Sequence, residues 1–338
     1  MAIPNAHKHL NPNLARHAHA RASAKTVFLF PGQGAQAVDM GVQAAETVPR
    51  AKQLYEKASS ILGYDLLETI KGPKDKLDTT AVSQPAIFVS SLAAVEKLRA
   101  SGPDGEAAIA AADAACGLSL GEYTALAFAG AISFEDGVRI TKARGEAMQA
   151  ASDAAKSGMV SVIGLDSDKV SELCAAAAEK TGEPIAIANY LCPGNYACSG
   201  SMSAVDAVVE MAKPEFKARM AVKLAVAGAF HTDFMAPAVP KLEAVLADVT
   251  VSTPRIPVIS NVDAAPHSDP DEIKSILAKQ VTAPVQWETI VKGLLDGGME
   301  TAYELGPGKV LAGIIKRIDK TAKAINVGGR GEAPGTQR

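Results

Sequence analysis

The run Gly117-Leu118-Ser119-Leu120-Gly121 sets a serine between two glycines at the G-x-S-x-G spacing, the spacing of a nucleophile elbow. A serine so placed sits on a tight turn between a strand and a helix. The glycines let the backbone make that turn without a Cβ clash, and the hydroxyl points away from the sheet. The constraint on the fold is severe: a strand must run into the motif and a helix must leave it. The chemistry of such a serine is acyl transfer through a covalent ester. The motif alone leaves open whether water or another acceptor takes the acyl group.

The rest of the chain supplies the α/β material the elbow needs. Thr26–Phe30 reads as a buried strand ending in the turn Pro31-Gly32-Gln33-Gly34. Helical patterns follow over 47–62 and 85–99, the second with Pro85 in its first turn. Residues 101–110 hold a Gly/Pro turn, and 111–116 must be the strand feeding the elbow despite its alanines. Helices are expected over 120–129 and from Ser133, whose Asp136 sits at capping-box spacing, to about Ala151. Residues 152–224 then show the order β-α-β-β-α-β: strands at 159–165, 185–190, 196–199 and 220–225, helices at 168–180 and 203–213, the latter with Ser203 as cap. Strands at 255–260 and 301–305 resume behind it, with helices at 271–279 and from the Gly306-Pro307-Gly308 turn to about Ile318. The fold class expected is α/β: an α/β-hydrolase-like core with a parallel sheet, residues 25–151 and 225–327, and an inserted ferredoxin-like subdomain, residues 152–224. A flexible Gly/Pro-rich tail occupies 328–338.

With 338 residues and 48% apolar content, the chain can build a large core. No apolar run approaches the roughly 18 residues of a membrane span. Cys116, Cys174, Cys192 and Cys198 form no C-x-x-C pair and read as small core residues in a reducing compartment. Residues 1–25 carry Lys8, Arg16, Arg21, Lys25 and four histidines but no acid. A basic, acid-free leader, here residues 1–24, has the character of an organelle transit peptide or its remnant. Without residues 1–25 the chain holds 30 Lys+Arg against 37 Asp+Glu, which argues against nucleic acid as a partner.

Ser119 needs a general base, and histidine suits the role best. Four of the six histidines lie in the leader and His267 lies in a polar loop, so elimination favours His231. An oxyanion hole needs two N–H donors. In an elbow the residue after the nucleophile gives one, here Leu120, and a loop after an early strand gives the other. Gln33 in the Pro31–Gly34 turn is placed to do this, although the same turn also reads as a plain surface turn. Arg144 carries a planar fork that matches a carboxylate; taken alone it reads more readily as a solvated or ion-paired helix residue than as a site. No metal-ligand spacing is present.

Together these pieces resemble the malonyl-CoA:acyl-carrier-protein transacylases of type II fatty acid synthesis. The resemblance spans about Lys25 to Val327. It rests on Phe30–Gly34, Gly117–Glu122, Arg144-Gly145-Glu146-Ala147-Met148, Gly228-Ala229-Phe230-His231, Gln280 before Pro284–Trp287, and Glu304–Gly308. It implies that Ser119 is acylated, His231 is the base, and Gln33 and Leu120 hold the oxyanion. It further implies that Arg144 holds the malonyl carboxylate, the Gln280 main-chain carbonyl orients His231, and Phe230 goes with malonyl over branched units. The substrates implied are malonyl-CoA and phosphopantetheine-bearing acyl-carrier protein, with no cofactor, no metal, no membrane or nucleic-acid partner, and a monomeric enzyme. The alternative is a serine esterase or thioesterase.

One position departs from the family's pattern: Leu118 stands where most members have histidine. With the leader and the Asn189-Tyr190-Leu191-Cys192-Pro193-Gly194 stretch, it resembles plant and algal plastid members. The expected location is therefore the plastid or chloroplast stroma, the alternatives being the mitochondrial matrix or cytoplasm.

Overall fold

The structure, a computed structural model, describes residues 24–329; nearly all of the leader and of the tail lies outside the described residues. The strands in chain order are β1 (Thr26–Phe30), β2 (Ala114–Gly117), β3 (Ser157–Ile163), β4 (Ile185–Cys192), β5 (Asn195–Ser201), β6 (Met220–Lys223), β7 (Val258–Ile259), β8 (Thr301–Leu305) and β9 (Lys323–Val327). They form two sheets. One is parallel, in the order β7-β2-β1-β8-β9, and the other antiparallel, in the order β4-β5-β3-β6. The protein is thus a mixed α/β fold.

β1 is buried along almost its whole length, as expected of a central parallel strand covered by helices on both faces. Phe28 and Phe30 face one layer, Phe28 stacked on Phe128 and Phe30 tilted against it, while Val27 and Leu29 face the other, with Trp287 and Ile315. Because the sheet is parallel, the carboxyl ends of β1, β2 and β7 share one edge, and loops from different parts of the chain meet there. The antiparallel sheet carries its two helices, Ser167–Thr181 and Met202–Ala212, on one face, over a core of its own built on Val160, Val162, Leu173 and Val208.

Several sequence expectations need correction. Pro85 does not open its helix: the helix runs Thr80–Arg99 with Pro85 inside it. Most of that helix is buried, and packing against Phe134–Asp153 outweighs the missing N–H. The turn at 101–110 is confined to its start, at Ala100–Ser101; Gly102 caps and Pro103 starts the helix Pro103–Ala110 at its first position. The cap of Met202–Ala212 is Ser201, which accepts from the Ala204 N–H at 3.2 Å, and not Ser203. The strand at 255–260 shrinks to the two residues of β7. Ser133 does cap its helix, accepting from the Asp136 N–H at 3.0 Å.

Glycines let the loop after β1 and the elbow after β2 lie in contact. The Leu118 N–H donates to the Phe30 carbonyl at 3.0 Å. A Cβ at Gly121 would collide with the Phe30 carbonyl oxygen, and one at Gly32 with the carbonyl oxygen of Leu118. Both obstacles are backbone. Gly121→Ala is therefore expected to lower stability by about 1–3 kcal/mol and to displace the elbow. Thermal unfolding with active-site serine labelling checks this; unchanged melting and labelling would contradict it.

Candidate active site

Ser119 lies two residues past the end of β2 and immediately precedes the helix Leu120–Phe128. Its backbone has φ 50° and ψ −103°, a conformation few non-glycine residues adopt. The side chain is half-buried at the carboxyl edge of the parallel sheet. His231 lies on the connection from β6 back to the large unit, also at positive φ, 61°, with its side chain buried. Its Nε2 is 2.9 Å from Ser119 Oγ and its Nδ1 is 2.9 Å from the Gln280 carbonyl oxygen. A carbonyl only accepts, so Nδ1 carries the proton and Nε2 offers its lone pair to the serine hydroxyl.

Burial holds His231 at a pKa of about 4, with the charge of Arg144 acting in the same direction. The imidazole is therefore neutral, and ready as a base, well below the pH at which an ordinary histidine titrates.

Arg144 enters from the buried side of the helix Phe134–Asp153 and is 1% exposed. Its Nη2 donates to Ser119 Oγ and to Gln280 Oε1, both at 3.0 Å, and its Nη1 donates to Gln84 Oε1 at 2.7 Å. The guanidinium lies 5.1 Å from the centre of the Tyr123 ring, a cation–π contact. Burial lowers its pKa, but a guanidinium stays protonated in a protein. Among the described residues no carboxylate bonds to it directly. The nearest compensation is Glu122, reached through one amide: Gln280 Nε2 donates to Glu122 Oε2 at 2.6 Å. Burial raises the Glu122 pKa against the pull of those hydrogen bonds. A cation held by neutral amides beside a nucleophile is a receptor for an anionic group attached close to the attacked carbon.

Gln33 is fixed by its side chain, which donates to Thr80 Oγ1 at 3.2 Å. No protein acceptor among the described residues meets the N–H of Gln33 or of Leu120. Both loops carrying these donors are in contact, as described above. Phe230 is buried beside His231, in the cluster with Met148, Met159 and Ala188. Leu118 packs instead on the opposite layer, near Leu191 and Trp287. His267 is not solvated as its polar loop suggests: Asp263 and Glu272 flank its two ring nitrogens at 3.0 and 3.2 Å.

Two residues of the site escape the sequence reading. Gln84 steers Arg144, and Asn261, fully buried after β7, bonds the elbow on both sides. Neither has a spacing signal, because each amide acts across a long loop of chain.

Residues 27–329 match the family described as "Acyl transferase domain". The chain belongs to the malonyl-CoA–acyl carrier protein transacylase family. The mitochondrial member from Mus musculus is 42% identical over 308 residues, covering 88% of this chain and 80% of the mouse chain. The Bacillus subtilis member is 38% identical over 305 residues, covering 90% and 93%. Among solved structures, the transacylase from Coxiella burnetii superposes with a TM-score of 0.84 at 33% identity over 90% of this chain and 94% of that one. A malonyl-transacylase solved with a type II polyketide-synthase acyl-carrier protein gives a TM-score of 0.84 at 33% identity, over 90% and 96%.

Within this family framework the site makes a pH prediction. Only neutral His231 accepts the serine proton. The rate of Ser119 acylation should stay level through the pH range near 6.5, where an unperturbed histidine titrates, and fall only as pH approaches about 4. Arg144→Ala removes one of the causes that lower His231, so the acid limb should move to higher pH. A pH profile of kcat/KM on both proteins checks it; an acid limb near 6.5 in the unaltered protein would refute the reading.

Proposed function

We propose that this chain transfers the malonyl group of malonyl-CoA to the phosphopantetheine thiol of acyl-carrier protein through a malonyl–Ser119 ester. The observation that carries this is the buried Arg144 guanidinium 3.0 Å from Ser119 Oγ, beside the Ser119–His231 pair. Malonyl carries a second carboxylate one methylene from its thioester carbon. That is the spacing a cation adjacent to the nucleophile favours.

Ser119 Oγ attacks the thioester carbon as its proton passes to His231 Nε2. The Gln280 carbonyl, bonded to Nδ1–H, steadies the imidazolium. The N–H groups of Gln33 and Leu120 receive the oxyanion. The C–S bond breaks, the proton goes to the CoA sulfur, and CoA leaves. The carrier-protein thiol then gives its proton to His231 and attacks the ester. Collapse returns the proton to Ser119 Oγ and releases malonyl-carrier protein. Phe230 fills space that an α-methyl branch needs. A hydrolase shares the first half of this sequence and differs only in its second acceptor.

The same reading extends to architecture. The parallel sheet with its elbow, residues 25–151 and 225–327, is proposed as the α/β-hydrolase-like catalytic subdomain. Residues 152–224 are proposed as the ferredoxin-like subdomain, on the support of the β4-β5-β3-β6 order. For location, the mouse and human relatives are named mitochondrial and others are bacterial. This favours the mitochondrial alternative over the plastid, which rests on Leu118, the 189–194 stretch and the leader.

Two outcomes are expected. First, labelled malonyl-CoA should leave an adduct on Ser119 that is absent in Ser119→Ala and discharges to acyl-carrier protein far faster than to water. Efficient discharge to water with no response to carrier protein would establish the hydrolase instead. Second, Arg144→Ala should lower kcat/KM for malonyl-CoA by at least tenfold while sparing or raising that for acetyl-CoA, because the lost pair is charge-assisted. An equal loss for both substrates would reduce Arg144 to a structural residue.

A further inference from the structure

Ser119 holds a backbone conformation that its own residue type disfavours, so something outside the elbow must impose it. The hydrogen bonds show what does. Asn261 Oδ1 accepts from the Ser119 N–H at 2.6 Å, and Asn261 Nδ2 donates to the Gly117 carbonyl at 2.7 Å. One side-chain amide thus pairs with the backbone on both sides of Leu118, as a neighbouring strand would. β7 pairs with β2 only at Ala115 and Cys116, so the Asn261 side chain extends that pairing past the point where the strand stops.

Asn261 is itself held from both ends. Its N–H donates to Glu122 Oε2 at 2.9 Å, and its carbonyl accepts from the Gln286 N–H at 2.8 Å. Glu122 sits on the first turn of the helix that leaves the elbow. The same carboxylate oxygen takes Gln280 Nε2, which also donates to the Ser119 carbonyl at 3.1 Å. The two amides flanking Ser119, one on its N–H and one on its carbonyl, therefore converge on one buried carboxylate. Asn261 touches neither Oγ nor the imidazole.

We propose that Asn261, anchored by Glu122, is a positioning residue that sets the Ser119 backbone and with it the aim of Oγ and of the Leu120 N–H. This rests on the acyl-transfer reading above. The side chain must both accept and donate, each on a fixed atom. Aspartate has the same shape but, when ionised, can only accept, and its second oxygen would face the Gly117 carbonyl. When protonated it donates again and restores the pattern.

The test is single-turnover formation of malonyl-Ser119 in Asn261→Asp across pH 5.5–8, with the folded fraction measured at each pH and the unaltered protein run beside it. The expected result is a rate at pH 8 at least tenfold below that of the unaltered protein, with the deficit shrinking as pH falls, while malonyl-CoA binding to the Arg144 clamp is unchanged in a Ser119→Ala background. No deficit, or a deficit independent of pH, overturns the proposal. If Asn261→Asp does not fold, Asn261→Ser, which shortens the side chain without adding charge, carries the test: acylation at the unaltered rate overturns the proposal and a tenfold loss with binding retained supports it. Failure of the unaltered protein to form the adduct would instead sink the acyl-transfer reading itself.

Discussion

A strained backbone at one residue organises this molecule. Holding a non-glycine residue at φ 50° and ψ −103° costs on the order of 1–3 kcal/mol and persists only where neighbours over-determine it. The neighbours come from across the chain. The N–H of Ser119 is met from the loop after β7, its carbonyl from Gln280, and the carbonyl of Leu118 lies against Gly32. The parallel sheet brings these loops together. Its strands run the same way, so their carboxyl ends, and the irregular backbone that follows, collect on one edge.

The electrostatics of the site follow from distances of one amide. A buried arginine bound directly to a carboxylate would be satisfied, and closed to substrate. One with no anion nearby would be costly to bury. Gln280 stands between Arg144 and Glu122, its oxygen on the guanidinium and its nitrogen on the buried Glu122 carboxyl. Its main-chain carbonyl meanwhile orients His231. One residue thus serves the clamp, the elbow and the base, which accounts for the absence of an acidic third member beside the histidine.

The sequence disclosed what is local and hid what is not. The elbow was legible because its glycines and serine are contiguous, and His231 because so few histidines compete. Strand β1 and the antiparallel unit were legible from their periodicity and turn residues. Asn261 and Gln84 were not, because an amide acting across 142 or 60 positions of chain leaves no spacing to detect. Pro85 misled because burial on nearly every side outweighs a local preference. Strand β9 and the helix Trp287–Asp296 went unassigned, the strand short and part-exposed at the sheet edge.

The segment that carries His231 joins two sheets, and it is fastened at both ends. The Leu224 N–H donates to the Met159 carbonyl, and the Ala229 N–H to Ser157 Oγ, which ties the connection to β3. Two residues later Nδ1 is tied to Gln280 in the other unit. Any swinging of one sheet against the other would pull directly on the imidazole. The two sheets are thus unsuited to wide breathing against each other during turnover, and an acyl thioester must come to a base whose place is already set.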